Sequence, residues 1–277
     1  MKNREGPYTE AVLRFFSRRN VFARAKELSS SSKNINKTYG KRRQALIIQQ
    51  KKVAIMATIQ ENTVSSVNQM GNSSELSFLG NPLAAKRILV VGNSITRHGP
   101  LSEIGWENDW GMAASALEKD YVHRLYAMLR DAGQDVLMRI RQCSYWEGNF
   151  DKEDVLSRYD EERAFDADIV VFRLGENVRT QDQAALRAGL ERFASHICPS
   201  GKMIFVTCFW ENPLVDEVIR SVAKERGDLC LNGFLAYDDN NMALGQFWHE
   251  GVSIHPSDAG MEKIAKLIFD ALIHQEK

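Results

Sequence analysis

"RILVVGNSITRHGP", residues 87–100, decides how the fold is read. Four consecutive apolar residues, Ile88 to Val91, stop at Gly92-Asn93-Ser94, and a polar turn follows. A short apolar run without alternation, cut off by glycine, reads as a strand buried on both faces. A serine directly after such a strand either caps the next helix or has its hydroxyl held up for chemistry. On its own it argues for the cap.

The same texture repeats downstream. "EKDYVHRLYAMLRDAG" (118–133) reads as a helix closed by Gly133, and "DVLMRIRQC" (135–143) as a second strand. "KEDVLSRYDEE" (152–162) looks helical, and "ADIVVFRLG" (167–175) is a third strand. An amphipathic helix (181–197), a strand "KMIFVTCF" (202–209), a helix closed by Gly227 and a weak strand "LCLNGFL" (229–235) follow. A terminal helix begins at Ser257, its expected N-cap. Apolar β-rich runs alternating with helices indicate βαβ units. The expected fold is a flavodoxin-like three-layer α/β/α sandwich around a central five-stranded parallel sheet. Ligands of such sheets bind at the carboxyl ends of the strands.

Composition sets the outer bounds. The 277 residues carry equal numbers of basic and acidic side chains, which gives no global argument for nucleic acid or a membrane surface. Residues 1–55 nonetheless hold fourteen Lys or Arg against three Asp or Glu. We therefore divide the chain into a basic, then polar, poorly ordered extension over residues 1–85 and a globular domain over 86–277. The extension has three competing readings: a targeting peptide, a basic arm for an anionic partner, or translated upstream sequence with Met56 as the start. No apolar run approaches the ~20 residues of a membrane span. The four cysteines form no CxxC pair and read as buried free thiols, which fits a cytoplasmic protein.

Three strand-end loops carry chemistry: "GNSITRHGP" (92–100), "RLGENVRTQ" (173–181) and "WHEGVSIHPSDAGM" (248–261). A serine becomes a useful nucleophile when a histidine takes its proton, and the oxyanion then needs fixed donors. Ser94, Asn177 and His255 lie on these loops in that order. The G-x-S-x-G elbow of α/β-hydrolases is absent.

These blocks resemble the SGNH/GDSL hydrolases, over roughly residues 86–273. Gly92-Asn93-Ser94 is similar to the family's Gly-Asp-Ser, and Gly175-Glu176-Asn177-Val178 to its Gly-x-Asn-Asp. Val252-Ser253-Ile254-His255-Pro256 is similar to Asp-x-x-His-Pro, with valine at the acid position. "GNSITRHGP" itself looks like the first block of a bacterial subgroup. The resemblance implies Ser94 as nucleophile, His255 as base, and an oxyanion site of the Ser94 N–H and the Asn177 amide. The remaining donor would be Gly148, with Ser144 as a nearer substitute. For the missing acid, Glu250 ranks slightly above a backbone carbonyl near Val252.

Asn93, Trp106, Trp110 and Trp146 are candidate substrate contacts, although loop tryptophans serve equally as lids packed on a core. His98 is a rival base, expected to be exposed. No metal or organic cofactor is implied. The expected activity is ester hydrolysis through an acyl-enzyme, with a carbohydrate O-acetyl or other short-chain ester as substrate. The alternatives are a catalytically weak or inactive carbohydrate-binding module on the same fold, and a flavodoxin-like flavin or nucleotide binder.

Overall fold

The computed structural model describes residues 76–274. The basic segment and most of the polar stretch assigned to the extension lie outside the described residues. Six strands form one sheet: β1 Leu76–Gly80, β2 Lys86–Gly92, β3 Val136–Gln142, β4 Ile169–Arg173, β5 Lys202–Val206 and β6 Leu229–Leu231, in the order β1-β3-β2-β4-β5-β6. Strands β2 to β6 are parallel, as expected.

Residue-by-residue alternation along the strands feeds two cores. Leu89 and Val91 of β2, Val170 and Phe172 of β4, and Met203 and Phe205 of β5 face one side. Helices α4 (Gln183–Ile197) and α5 (Pro213–Arg226) cover that side through Leu190, Phe193, Val215 and Ile219. Ile88, Val90, Val171 and Ile204 face the other, under α1 (Tyr121–Asp131) and α7 (Asp258–His274). Each fully buried side chain of this size stabilises the fold by about 1.5–3 kcal/mol relative to exposure. The short helices α2 (Ser144–Glu147), α3 (Asp160–Phe165) and α6 (Glu250–Ser253) lie in the connections. Local chemistry sets the ends of the long ones: Asp120, Asp182 and Asn212 cap α1, α4 and α5, and Gly227 closes α5 at φ 69°.

The stretch "KEDVLSRYDEE" is helical as expected, a 3-10 helix over Asp154–Tyr159 that runs directly into α3. The sheet also has a sixth strand, β1, which lies ahead of the boundary drawn at residue 86 and runs antiparallel to β3. It forms because β3 would otherwise present an open edge. Phe78 sits opposite Arg139 in the register, its ring packs edge-on against Phe165, and the Arg139 guanidinium lies 5.2 Å over it. Arg139 is in turn held by the buried Glu162.

The parallel strands have the 2-1-3-4-5 order of doubly wound sheets, so the chain reverses direction across the sheet between β2 and β4. Gly92 and Arg173 pair at the carboxyl ends of those two strands. Ser94 and Asn177 therefore leave adjacent strands at the switch point. Among the described residues no helix is long and apolar enough to cross a membrane.

If β1 belongs to the folding unit, Phe78→Ala removes both the ring contact with Phe165 and the cover over Arg139. We expect a loss of about 2 kcal/mol, read as a fall of roughly 4–8 °C in the thermal midpoint. An unchanged midpoint would mean that β1 is an ornament on the edge.

Candidate active site

The turn after β2 is shaped by what cannot fit there. A Cβ on Gly92 would lie 1.7 Å from Thr96 Oγ1 and 2.7 Å from Thr96 Cβ. The chain folds back at once, and the N–H groups of Thr96 and Arg97 donate to the Asn93 carbonyl at 2.9 and 3.0 Å. This leaves Ser94 half-buried, with its Oγ 2.8 Å from His255 Nε2. Its own N–H has no acceptor among the described residues.

His255 follows α6, and its Nδ1 lies 2.6 Å from the Gly251 carbonyl oxygen. A carbonyl can only accept, so Nδ1 carries the hydrogen. Nε2 then presents its lone pair, and the Ser94 hydroxyl donates to it. Removal from water lowers the imidazole to about 4; the Gly251 bond opposes that shift and the nearby His98 adds to it. Trp210 stands edge-on to the ring at 5.2 Å. His98 is half-buried, with Nδ1 2.6 Å from the Gly99 carbonyl oxygen.

Behind the serine lies a buried polar cluster that joins the first and third motif blocks. Glu147, 0 % exposed, accepts from Asn93 Nδ2 at 3.1 Å, Gly175 N at 2.7 Å, Asn177 N at 3.2 Å and Asn177 Nδ2 at 2.7 Å. Glu176 accepts from Asn93 Nδ2 at 2.6 Å, Arg173 Nη2 at 2.5 Å and Phe209 N at 3.0 Å. Burial first, then the neighbouring Glu176 charge, raise the Glu147 carboxyl above its ordinary range. Asn93 thus bridges two carboxylates with one amide nitrogen, while its oxygen accepts from Ile95 N and Arg173. That explains asparagine where the resembling family has aspartate: an acid there would be a third carboxylate among two.

The other sequence-derived assignments fare differently. Glu250 is exposed and does not reach the imidazole, since the Gly251 carbonyl holds Nδ1; the carbonyl, ranked second from sequence, is what the structure supplies. Val252, at the family's acid position, is buried with Trp106, Met112 and Ala113. Gly148 is exposed and its N–H turns back to the Trp146 carbonyl, while the Ser144 N–H is taken by Gln142 Oε1 at 3.2 Å. Neither second-block donor faces an oxyanion. Asn93, Trp106 and Trp146, expected as substrate contacts, are instead buried. Trp110 is half-buried, its indole N–H donating to the Ala114 carbonyl and its ring packed on Trp106. His98, expected to be exposed, is instead half-buried. The sequence reading missed Glu147, which lies outside the three motif blocks.

No protein-family model matches the sequence, and no curated protein matches it. Solved structures with a similar chain course include the psychrotrophic esterase EstA from Pseudoalteromonas sp., at 14% identity and TM-score 0.47, covering 69% of this chain and 98% of that one. TesA is 17% identical with TM-score 0.43, covering 68% and 98%. The acetylxylan esterase Axe2 from Geobacillus stearothermophilus is 17% identical with TM-score 0.42, covering 68% and 94%.

The account of Asn93 has a direct consequence. Asn93→Asp places a carboxyl between Glu147 and Glu176, at a cost of about 3–5 kcal/mol at neutral pH. The new group must hold a proton to stay buried, so its folded-state pKa is raised and the deficit grows as pH rises. Denaturant unfolding at pH 5 and pH 8 should show the smaller deficit at pH 5. Equal deficits at both would refute the account.

Proposed function

We propose that the chain is an SGNH/GDSL-type serine ester hydrolase that works through an acyl-enzyme on Ser94. The observation that carries this reading is the 2.8 Å contact between Ser94 Oγ and a neutral His255 whose tautomer is fixed by Gly251. Ser94 Oγ attacks the ester carbonyl carbon as its proton passes to Nε2. The Ser94 N–H and the second Asn177 Nδ2 hydrogen, neither with an acceptor among the described residues, stabilise the oxyanion. The imidazolium returns the proton to the leaving alcohol. Water then repeats the sequence on the acyl-enzyme and frees Ser94.

A carbonyl dipole stabilises the imidazolium less than a carboxylate would, which speaks for a binding module on the same fold. Yet much of what the triad acid does is to hold the productive tautomer, and Gly251 does that here. The balance favours an enzyme. For the alcohol we propose a carbohydrate and for the acyl group a short chain such as acetyl. Trp248, 74 % exposed on the segment leading into α6, offers an aromatic face for a sugar ring.

Three measurements test the reading. An aryl phosphonate should label Ser94 in the folded protein, and Ser94→Ala should abolish both labelling and hydrolysis of short-chain aryl and sugar acetates. No adduct on the wild type would leave the binding module as the better account. Glu250→Gln should keep the wild-type rate, because the acid does not touch His255. The base form of His255 exists above its lowered pKa, so kcat/KM should be level from pH 6 to 8 and fall as pH drops through about 4. A fall centred on the ordinary histidine value near 6.5 would contradict the desolvated base.

A further inference from the structure

We propose that Glu147 is the positioning residue of the oxyanion site: its buried carboxylate grips Asn177 by both backbone and side chain and so aims the remaining amide hydrogen at the substrate. This rests on the reading of Asn177 as an oxyanion donor. It assigns the task of holding that donor to a residue outside the three motif blocks.

The hydrogen-bond chemistry makes the choice of residue specific. Every group that meets Glu147 is a donor: two backbone N–H groups and two side-chain amides. An ionised carboxylate only accepts and offers about four lone-pair positions, so it can satisfy all four donors. Glutamine in its place would set an NH2 against one of them. Burying a charge is costly unless hydrogen bonds and a counter-charge compensate. Here the four donated hydrogen bonds compensate Glu147, while Arg173 pairs with Glu176, the second carboxylate of the cluster.

The geometry also separates positioning from mere filling. Asn177 donates its N–H to Oε1 and one Nδ2 hydrogen to Oε2, so the same carboxylate fixes the backbone and the amide plane. Asn177 itself is exposed, whereas its partner is completely buried. One amide hydrogen is spent inward and the other is left for a ligand. The bond from Asn93 to Oε1 links this grip to the residue beside the nucleophile, so Ser94 and Asn177 are referenced to one rigid group. The second-block backbone donors are turned away, so the oxyanion depends on Asn177 all the more.

The test is a double-mutant cycle on the full chain, with 4-nitrophenyl acetate as substrate and thermal unfolding to verify folding. Asn177→Ala and Glu147→Gln should each lower kcat about 100-fold, with KM changing less than about threefold. The double variant should be no slower than Asn177→Ala alone, because both remove the same interaction. A structural role for Glu147 would instead give losses that multiply. Glu147→Asp keeps the charge but shortens the reach, and serves if Glu147→Gln does not fold; it should lower kcat by an intermediate factor. Multiplying losses, or a wild-type rate in Glu147→Asp, would overturn the proposal while leaving the hydrolase intact. A wild type that neither hydrolyses the ester nor takes a phosphonate on Ser94 would overturn the hydrolase reading and this proposal together.

Discussion

The site depends on one steric constraint: residue 92 has no room for a side chain. With Thr96 Oγ1 lying where a Cβ would be, β2 must end there and the chain must turn at once. Thr96 is itself fixed by the 2.7 Å contact between its hydroxyl and the buried Tyr121 hydroxyl of α1. The strand, the turn and the first helix are therefore set against one another before any catalytic group is considered. Because β2 pairs with both β3 and β4, the turn stands where loops from three strands meet. Asn93 is directed inward and Ser94 outward by the same few dihedral angles.

What lies inward is unusual for a hydrophobic sandwich. Two carboxylates, one guanidinium and one amide are buried behind the serine and hydrogen-bonded to one another. Each carboxylate alone would be expensive to bury. Together with the backbone N–H groups of Gly175, Asn177 and Phe209 they form a network in which the donors match the acceptors. Such a network is sensitive to the loss of any member, because the groups left behind have no water to turn to. It also gives the loop after β4 a rigidity that a short polar loop does not have by itself. Asn93, which differs from the resembling family's pattern, and Glu176, at its variable position, are members of this network.

The strands and long helices were legible because their signals are local: continuous apolar runs, Asp or Asn caps and a closing glycine. Ser94, Asn177 and His255 were legible because parallel topology brings strand-end loops to one edge. β1 was not. "LSFLG" is short and follows a polar stretch, and it becomes a strand through contacts with Arg139 and Phe165, far along the chain. The tryptophans misled for a related reason. The loop between β2 and α1 builds a small core of its own, with Trp106, Met112 and Ala113 meeting Ala243 and Val252 from the other end of the chain. A loop aromatic with a private core looks, in sequence, like a loop aromatic that waits for ligand. Glu147 had no local signature either, since its donors come from residues 93, 175 and 177.

Val252 ties these threads together. In the resembling family an acid at this position would orient the histidine, yet here the side chain is committed to the core beneath Trp106. The imidazole still needs an acceptor for Nδ1, and the α6 turn provides one by aligning the Gly251 carbonyl four residues before His255. Exchanging a carboxylate for a carbonyl changes the electrostatics more than the geometry. The ring keeps its tautomer but gains no opposite charge at Nδ1, so burial dominates and the base is weak. A weak base removes the serine proton less readily, but as an imidazolium it gives the proton up more readily to a departing alcohol. In the proposed hydrolase this places more of the transition-state stabilisation on Asn177.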